Sequence, residues 1–208
     1  ICNDGPGCIG VQGGYRQKTP RLSVPARQGF VVQAGAGLRQ WAPQRLPGPT
    51  DRLCVQLPNA TATQKLGRLL AIAAERGDVI ALKGPLGAGK TCLVAGLARG
   101  LGIKEAITSP SFALLNQHRG RLTLHHVDLY RLHDASELSE LGLWEAAESG
   151  GLLVIEWLDR FPQAVAADRL QVQLDYPGAG ERGRLAEITA AGPRSQARLL
   201  ALSQALSG

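Results

Sequence analysis

Gly84-Pro85-Leu86-Gly87-Ala88-Gly89-Lys90-Thr91 decides the reading of this chain. The segment meets G-x-x-x-x-G-K-[ST] at every required position, directly after the apolar run Val79-Ile80-Ala81-Leu82 and directly before a helical pattern from about Lys90 to Arg99. The chemistry explains the spacing. Glycines allow backbone angles that turn successive N–H groups inward as a concave nest for phosphate oxygens. The helix that starts there adds the positive end of its dipole. Lys90 supplies a point charge toward the β- and γ-phosphates, and Thr91 offers a hydroxyl to Mg²⁺. A Gly-rich strand-to-helix turn without a ligand is the bland alternative, and the Lys-Thr pair with its flanking elements argues against it.

Working outward, a phosphate loop needs an acid at the end of a neighbouring strand. Leu122–Val127 runs into Asp128, and the more apolar Leu152–Ile155 runs into Glu156. Either carboxylate suits Mg²⁺, directly or through water, or suits the orientation of an attacking water. Thr108-Ser109-Pro110-Ser111 falls where a switch-like loop would sense a γ-phosphate; a plain turn before a strand is the competing reading. The Asn/Thr-Lys-x-Asp signature of GTPases is missing, which favours adenine. Further strands are expected at Leu53–Leu57, Phe112–Gln117, Leu170–Leu174 and Leu185–Thr189. Helices are expected after a cap at Thr61 or Thr63, near Ser136–Leu141 and Trp144–Ser149, and over Ser195–Leu206. Strands alternating with helices mean an α/β layered domain.

The chain has 208 residues, 44% of them hydrophobic and 19% charged, enough for one sizeable core. No stretch reaches the roughly 18 unbroken apolar residues of a membrane span. The net charge of +6 is unevenly placed: residues 1–52 carry seven Lys/Arg against two Asp, the remainder sixteen against fifteen Asp/Glu. The first 52 residues also hold nine Gly and six Pro without a repeat, a composition expected of a low-complexity, disordered basic tail. Residues 53–208 are the expected catalytic domain. A broad nucleic-acid face on the folded part is disfavoured by its near-neutral balance, and no DNA or membrane partner is expected. Cys2, Cys8, Cys54 and Cys92 lack metal-ligand spacing, and no secretory leader pattern opens the chain, so a cytoplasmic location is the expectation. His118, His125, His126 and His133 lack acid or thiol partners at metal spacing and read as solvated or structural.

The combination of motifs resembles the TsaE (YjeE) family, small bacterial ATPases required for making threonylcarbamoyladenosine in tRNA. The resemblance rests on Gly84–Thr91, Thr108-Ser109-Pro110-Ser111-Phe112, His126-Val127-Asp128-Leu129-Tyr130-Arg131, Glu137–Gly142 and Val154-Ile155-Glu156-Trp157, in that order, and spans about Leu53 to Pro193. It implies a P-loop NTPase-like three-layer α/β fold with a central sheet partly parallel and partly antiparallel. It implies ATP hydrolysis that is weak alone and matters in a complex with TsaD and TsaB, tRNA being reached through that complex. By the family pattern Lys90 holds phosphate, Thr91 and Glu156 coordinate Mg²⁺, and Asp128 lies close to the γ-phosphate; from the loop motif Gly84, Leu86, Gly87, Ala88 and Gly89 are the expected phosphate cradle, and Ser109 belongs to the switch-like turn. Trp157 would sit beside the site or shield the metal carboxylate. Thr63 would face the nucleotide or simply cap its helix, and Arg182 in the Gly180–Arg184 turn would reach toward ATP.

Two departures stand out. Cys92 occupies a position where the family commonly has a second threonine, so one hydroxyl contact to phosphate is expected to be lost. The N-terminal extension has no counterpart in the family pattern. The rival enzyme reading is a small-molecule or nucleotide kinase, for which Arg182 and Arg184 are the clustered lid candidates. A non-catalytic RNA-binding role for the basic tail is the rival of a different class.

Overall fold

The computed structural model describes residues 52–165, 167–177 and 182–207. The expected tail, with Cys2 and Cys8, lies outside the described residues except for Arg52, which opens the first strand. Seven strands form one sheet: β1 (Arg52–Leu57), β2 (Val79–Lys83), β3 (Leu115–His118), β4 (Leu124–Asp128), β5 (Leu152–Glu156), β6 (Leu170–Asp175) and β7 (Arg184–Ala190). Their spatial order is β1-β7-β6-β2-β5-β4-β3. The four central strands β6, β2, β5 and β4 are parallel, while β3, β7 and β1 are joined by antiparallel pairs. The mixed three-layer α/β expectation holds.

Composition explains the layering. β2, β4 and β5 are nearly continuous apolar or buried runs, as strands covered on both faces must be. Alternate side chains then feed two cores. Ile80, Leu82, Leu124, Leu152 and Val154 pack beneath α1 (Ala60–Ala73), α2 (Lys90–Gly100) and α4 (Pro193–Ser207). Val79, Ala81, Val127, Leu153 and Ile155 pack on the opposite face against α3 (Leu143–Glu148) and three short 3₁₀ segments at Ala135–Leu141, Leu158–Arg160 and Pro162–Ala164. Each such Leu or Ile contributes about 1.5–3 kcal/mol by leaving water. An Asp at fully buried Val154 would break the sheet's centre.

The α1–α2 pair sets the position of the loop. The two helices approach so closely that a Cβ on Gly67 would stand 2.2 Å from Leu93 O, and one on Gly96 2.2 Å from Gln64 O. Alanine at either position would push α2, and the loop before it, off the sheet.

Two local expectations need correction. The cap of α1 is Asn59, whose side chain accepts from Ala62 N at 2.9 Å, rather than Thr61 or Thr63. β3 starts at Leu115, three residues later than expected, because the turn after Pro110 continues through Leu114, which sits at φ 61°. The short helix expected near Ser136–Leu141 is present as a 3₁₀ segment over Ala135–Leu141, capped by Asp134 and by Glu137, which reaches back to the N–H groups of His133 and Asp134. No described helix is long and apolar enough to cross a membrane.

Candidate functional site

Three chain segments meet at the carboxyl ends of the parallel strands: the loop between β2 and α2, the end of β4, and the end of β5. Ligands of open α/β sheets bind there as a rule, because the backbone dipoles and loops converge. A cavity of about 470 Å³ opens at this point. Its walls include Gly87, Gly89, Lys90, Thr91, Asp128 and Glu156.

The loop bends back on itself with Gly84, Gly87 and Gly89 at positive φ. Gly84 is dictated by space as well: a Cβ there would meet Leu174 O at 2.1 Å, so only glycine lets β6 lie alongside. Lys90, 5% exposed, sends Nζ to Gly84 O at 2.8 Å and Pro85 O at 3.0 Å. The Trp157 ring lies 3.8 Å from the same nitrogen. Burial holds the Lys90 pKa below the usual lysine value, against the opposing pull of Glu156, Asp128 and Asp159.

Parallel pairing sets Asp128 opposite Glu156 at the ends of β4 and β5. Glu156 Oε1 accepts from Thr91 Oγ1 at 3.0 Å. It also accepts from His126 Nε2 at 2.9 Å, the nitrogen that must carry the hydrogen because a carboxylate oxygen only accepts. His126 is fully buried, and its Nδ1 has no hydrogen-bond partner among the described residues. Both bonds end on Oε1. Asp128 is bound differently. Its Oδ2 accepts from Ser109 Oγ and, at 3.3 Å, from Ser111 Oγ, while Oδ1 accepts from Tyr130 N at 2.9 Å. This carboxylate therefore ties the Ser109–Ser111 loop to β4.

The donor set suits a hard cation. Thr91 and Glu156 bring two side-chain oxygens together across one 3.0 Å contact, on the wall of the cavity that Gly87, Gly89 and Lys90 also line. Mg²⁺ is held characteristically by one or two side-chain oxygens together with phosphates rather than by an all-protein cage. Among the described residues no group of three or more His, Cys, Asp or Glu forms such a cage.

A family model described as threonylcarbamoyl adenosine biosynthesis protein TsaE matches residues 57–184. The chain belongs to the TsaE family. A relative from Treponema pallidum (strain Nichols), named tRNA threonylcarbamoyladenosine biosynthesis protein TsaE, is 41% identical over 133 residues, covering 64% of this chain and 96% of that protein. One of the same name from Nostoc sp. (strain PCC 7120) is 44% identical over 138 residues, covering 64% of this chain and 83% of its own length. A crystal structure of Bacillus subtilis YdiB superposes with a TM-score of 0.64 at 32% identity, covering 74% of this chain and 95% of that one. The role of this TsaE-family chain accordingly lies in forming threonylcarbamoyladenosine in tRNA.

The structure gathers Lys90, Thr91, Ser109, Asp128, Glu156 and Trp157 around one cavity, with Leu86, Gly87, Gly89 and Cys92 also on its walls. Gly84 and buried Ala88 lie behind that surface, the Ala88 N–H donating to Pro85 O at 3.2 Å. Thr63 is buried beneath the loop, its methyl 3.9 Å from where a Gly89 Cβ would be, and its hydroxyl donates to Asn59 O at 3.3 Å. Cys92 directs Sγ at Ala60 O, 3.6 Å away, and burial raises the pKa of its thiol. Arg182 is exposed outside the cavity wall, and residues 178–181 of the turn that carries it lie outside the described residues. Sequence reasoning missed two partners. His126 read as a solvated or structural histidine, and its ring holds the Glu156 carboxylate. Arg184, considered only as part of a kinase lid, donates from Nε to Ala88 O at 3.2 Å and from Nη2 to Gly87 O at 3.0 Å.

Proposed function

We propose that this TsaE-family protein binds ATP with Mg²⁺ at the β2–α2 loop and hydrolyses it in the service of tRNA threonylcarbamoyladenosine formation, acting with TsaD and TsaB. The observation that carries the reading is the Thr91–Glu156 contact of 3.0 Å, inside the cavity that the phosphate loop opens. The loop N–H groups and the α2 N-terminus bind the phosphates, and Lys90 exchanges its own loop carbonyls for phosphate oxygens. Thr91 and Glu156 hold Mg²⁺, which when bound supplies positive charge against the oxygens of the phosphoryl group in transfer. Asp128, paired with Glu156 across the ends of β4 and β5, orients the attacking water and senses the γ-phosphate through Ser109 and Ser111. A phosphate that draws Ser109 away from Asp128 would move the whole segment, giving a nucleotide-dependent signal to a partner.

The test is reconstitution of the tRNA modification with purified TsaD and TsaB. The reading expects product formation over many turnovers only with this protein and ATP present, and loss of that dependence with Lys90→Ala. Equal product without it, or full activity of the Lys90 variant, refutes the assignment. Phosphoryl transfer to a metabolite without partner proteins would favour the kinase reading.

A further inference from the structure

We propose that Arg184 and Tyr176 are positioning residues that hold the phosphate loop in its binding shape from outside, an inference that rests on the phosphate-binding reading above. Three consecutive carbonyls of the loop are taken by these two side chains. The Tyr176 hydroxyl donates to Leu86 O at 3.2 Å, Arg184 Nη2 to Gly87 O at 3.0 Å, and Arg184 Nε to Ala88 O at 3.2 Å. The guanidinium spans two successive carbonyls because its N–H groups lie in one rigid plane, which a lysine ammonium cannot reproduce. It stacks over the Tyr176 ring at 4.2 Å, and Nη1 returns to Gly183 O at 2.6 Å, so the fork is itself held still. β7 and the end of β6 thus reach back across the sheet to a loop some ninety positions earlier in the chain.

Peptide geometry turns this grip into a consequence for binding. In a trans peptide the C=O of one residue and the N–H of the next point in opposite directions. Carbonyls 86, 87 and 88 held outward therefore aim the N–H groups of Gly87, Ala88 and Gly89 the other way. The Ala88 N–H is spent within the loop, on Pro85 O at 3.2 Å, which also receives Lys90 Nζ at 3.0 Å, so the grip bears on the N–H groups of Gly87 and Gly89. Gly87 makes the close approach feasible, since it sits at φ 77° and a Cβ there would stand 3.1 Å from the Tyr176 hydroxyl. Without the grip each peptide is free to rotate, and a phosphate must then order the loop at the expense of its own affinity.

The test is calorimetric titration of inorganic tripolyphosphate and of ATP, both in magnesium buffer, into wild type, Arg184→Ala, Arg184→Lys and Tyr176→Phe. Arg184→Ala is expected to weaken both ligands by about tenfold and Tyr176→Phe by about threefold, as losses of loop hydrogen bonds should. Arg184→Lys keeps the charge without the fork and is expected to stay near the alanine level. Unfolding midpoints without ligand separate misfolding from loss of shape, and Tyr176, 52% exposed, can lose its hydroxyl without loss of core packing. Unchanged affinity in Arg184→Ala or Tyr176→Phe overturns the proposal. So does weakening of ATP alone, which would make Arg184 a base or ribose contact, and so does full recovery with lysine, which would reduce its role to charge. Wild type that binds neither ligand overturns the phosphate site and this proposal together, so the two failures are distinguishable.

Discussion

The two ends of the parallel strands carry similar numbers of charged groups and use them in opposite ways. At the amino ends, Asp78 accepts from Arg194 Nη2 at 3.2 Å, from Arg198 Nε at 2.8 Å and from Glu75 N at 2.8 Å. Asp168 nearby accepts from the N–H groups of Arg194 and Ser195, both at 2.9 Å, closing the start of α4 from a different part of the chain. The cavity of about 160 Å³ between them is largely apolar, and its charges face one another. At the carboxyl ends, Lys90, Thr91 and Glu156 converge on a cavity nearly three times larger. There the ammonium leans on loop carbonyls, and Glu156 takes its two bonds on a single oxygen. At the amino ends charges pair with one another; at the carboxyl ends they line the larger cavity.

Substitutions at the two ends should therefore separate binding from stability. Lys90→Ala is expected to lower ATP turnover by about 100-fold or more, the usual cost of removing one donor from a charge-stabilising site. Its unfolding midpoint should stay within a few degrees of wild type, which calorimetric scanning checks. Asp78→Ala reverses the pattern. Two arginines lose their common partner, costing about 3 kcal/mol, with ATP affinity measured below the transition unchanged. His126→Leu sharpens the comparison at the carboxyl ends. Glu156 loses the bond that fixes Oε1, and Mg²⁺-dependent ATP binding should fall by about tenfold, the low end for partners that orient metal ligands. His126→Gln, which restores a donor, should recover most of it, whereas binding without Mg²⁺ should hardly change in either variant.

Asp168→Ala is the smallest expected effect, about 1 kcal/mol of stability, as for loss of a helix cap. It carries a pH signature. Burial works against ionisation of Asp168, but the bonds from Ser195 and Arg194 prevail and hold its pKa below the ordinary 3.8. The folded state thus favours the carboxylate. Its contribution is fully present above 3.8 and is lost as pH falls through the lower folded value. The stability gap between wild type and Asp168→Ala should stay constant near neutrality and narrow on acidification below that window.

What could be read from the sequence follows from locality. Gly84–Thr91 was legible because its chemistry needs contiguous residues, and the strands ending in Asp128 and Glu156 were legible from apolar runs stopping at an acid. His126 was not, because its bond to Glu156 crosses thirty positions and depends on the β4–β5 register. Arg184 was paired with Arg182 as clustered charge, and only the strand geometry separates the one on the loop carbonyls from the one in solvent. Asn59 was within reach, since asparagine is among the strongest caps. Phe112 looked like the start of a strand because it is apolar, but it stands 88% exposed with Arg131 over its ring.

The most direct test is isothermal titration of ATP into the wild-type protein with Mg²⁺ and again with a chelator in its place. Saturable one-to-one heat that tightens when Mg²⁺ is present, and is abolished in Glu156→Ala only for the Mg²⁺-dependent part, is the predicted result. No heat under either condition, or identical curves with and without the metal, would contradict the claim that Thr91 and Glu156 share a cation with a bound triphosphate.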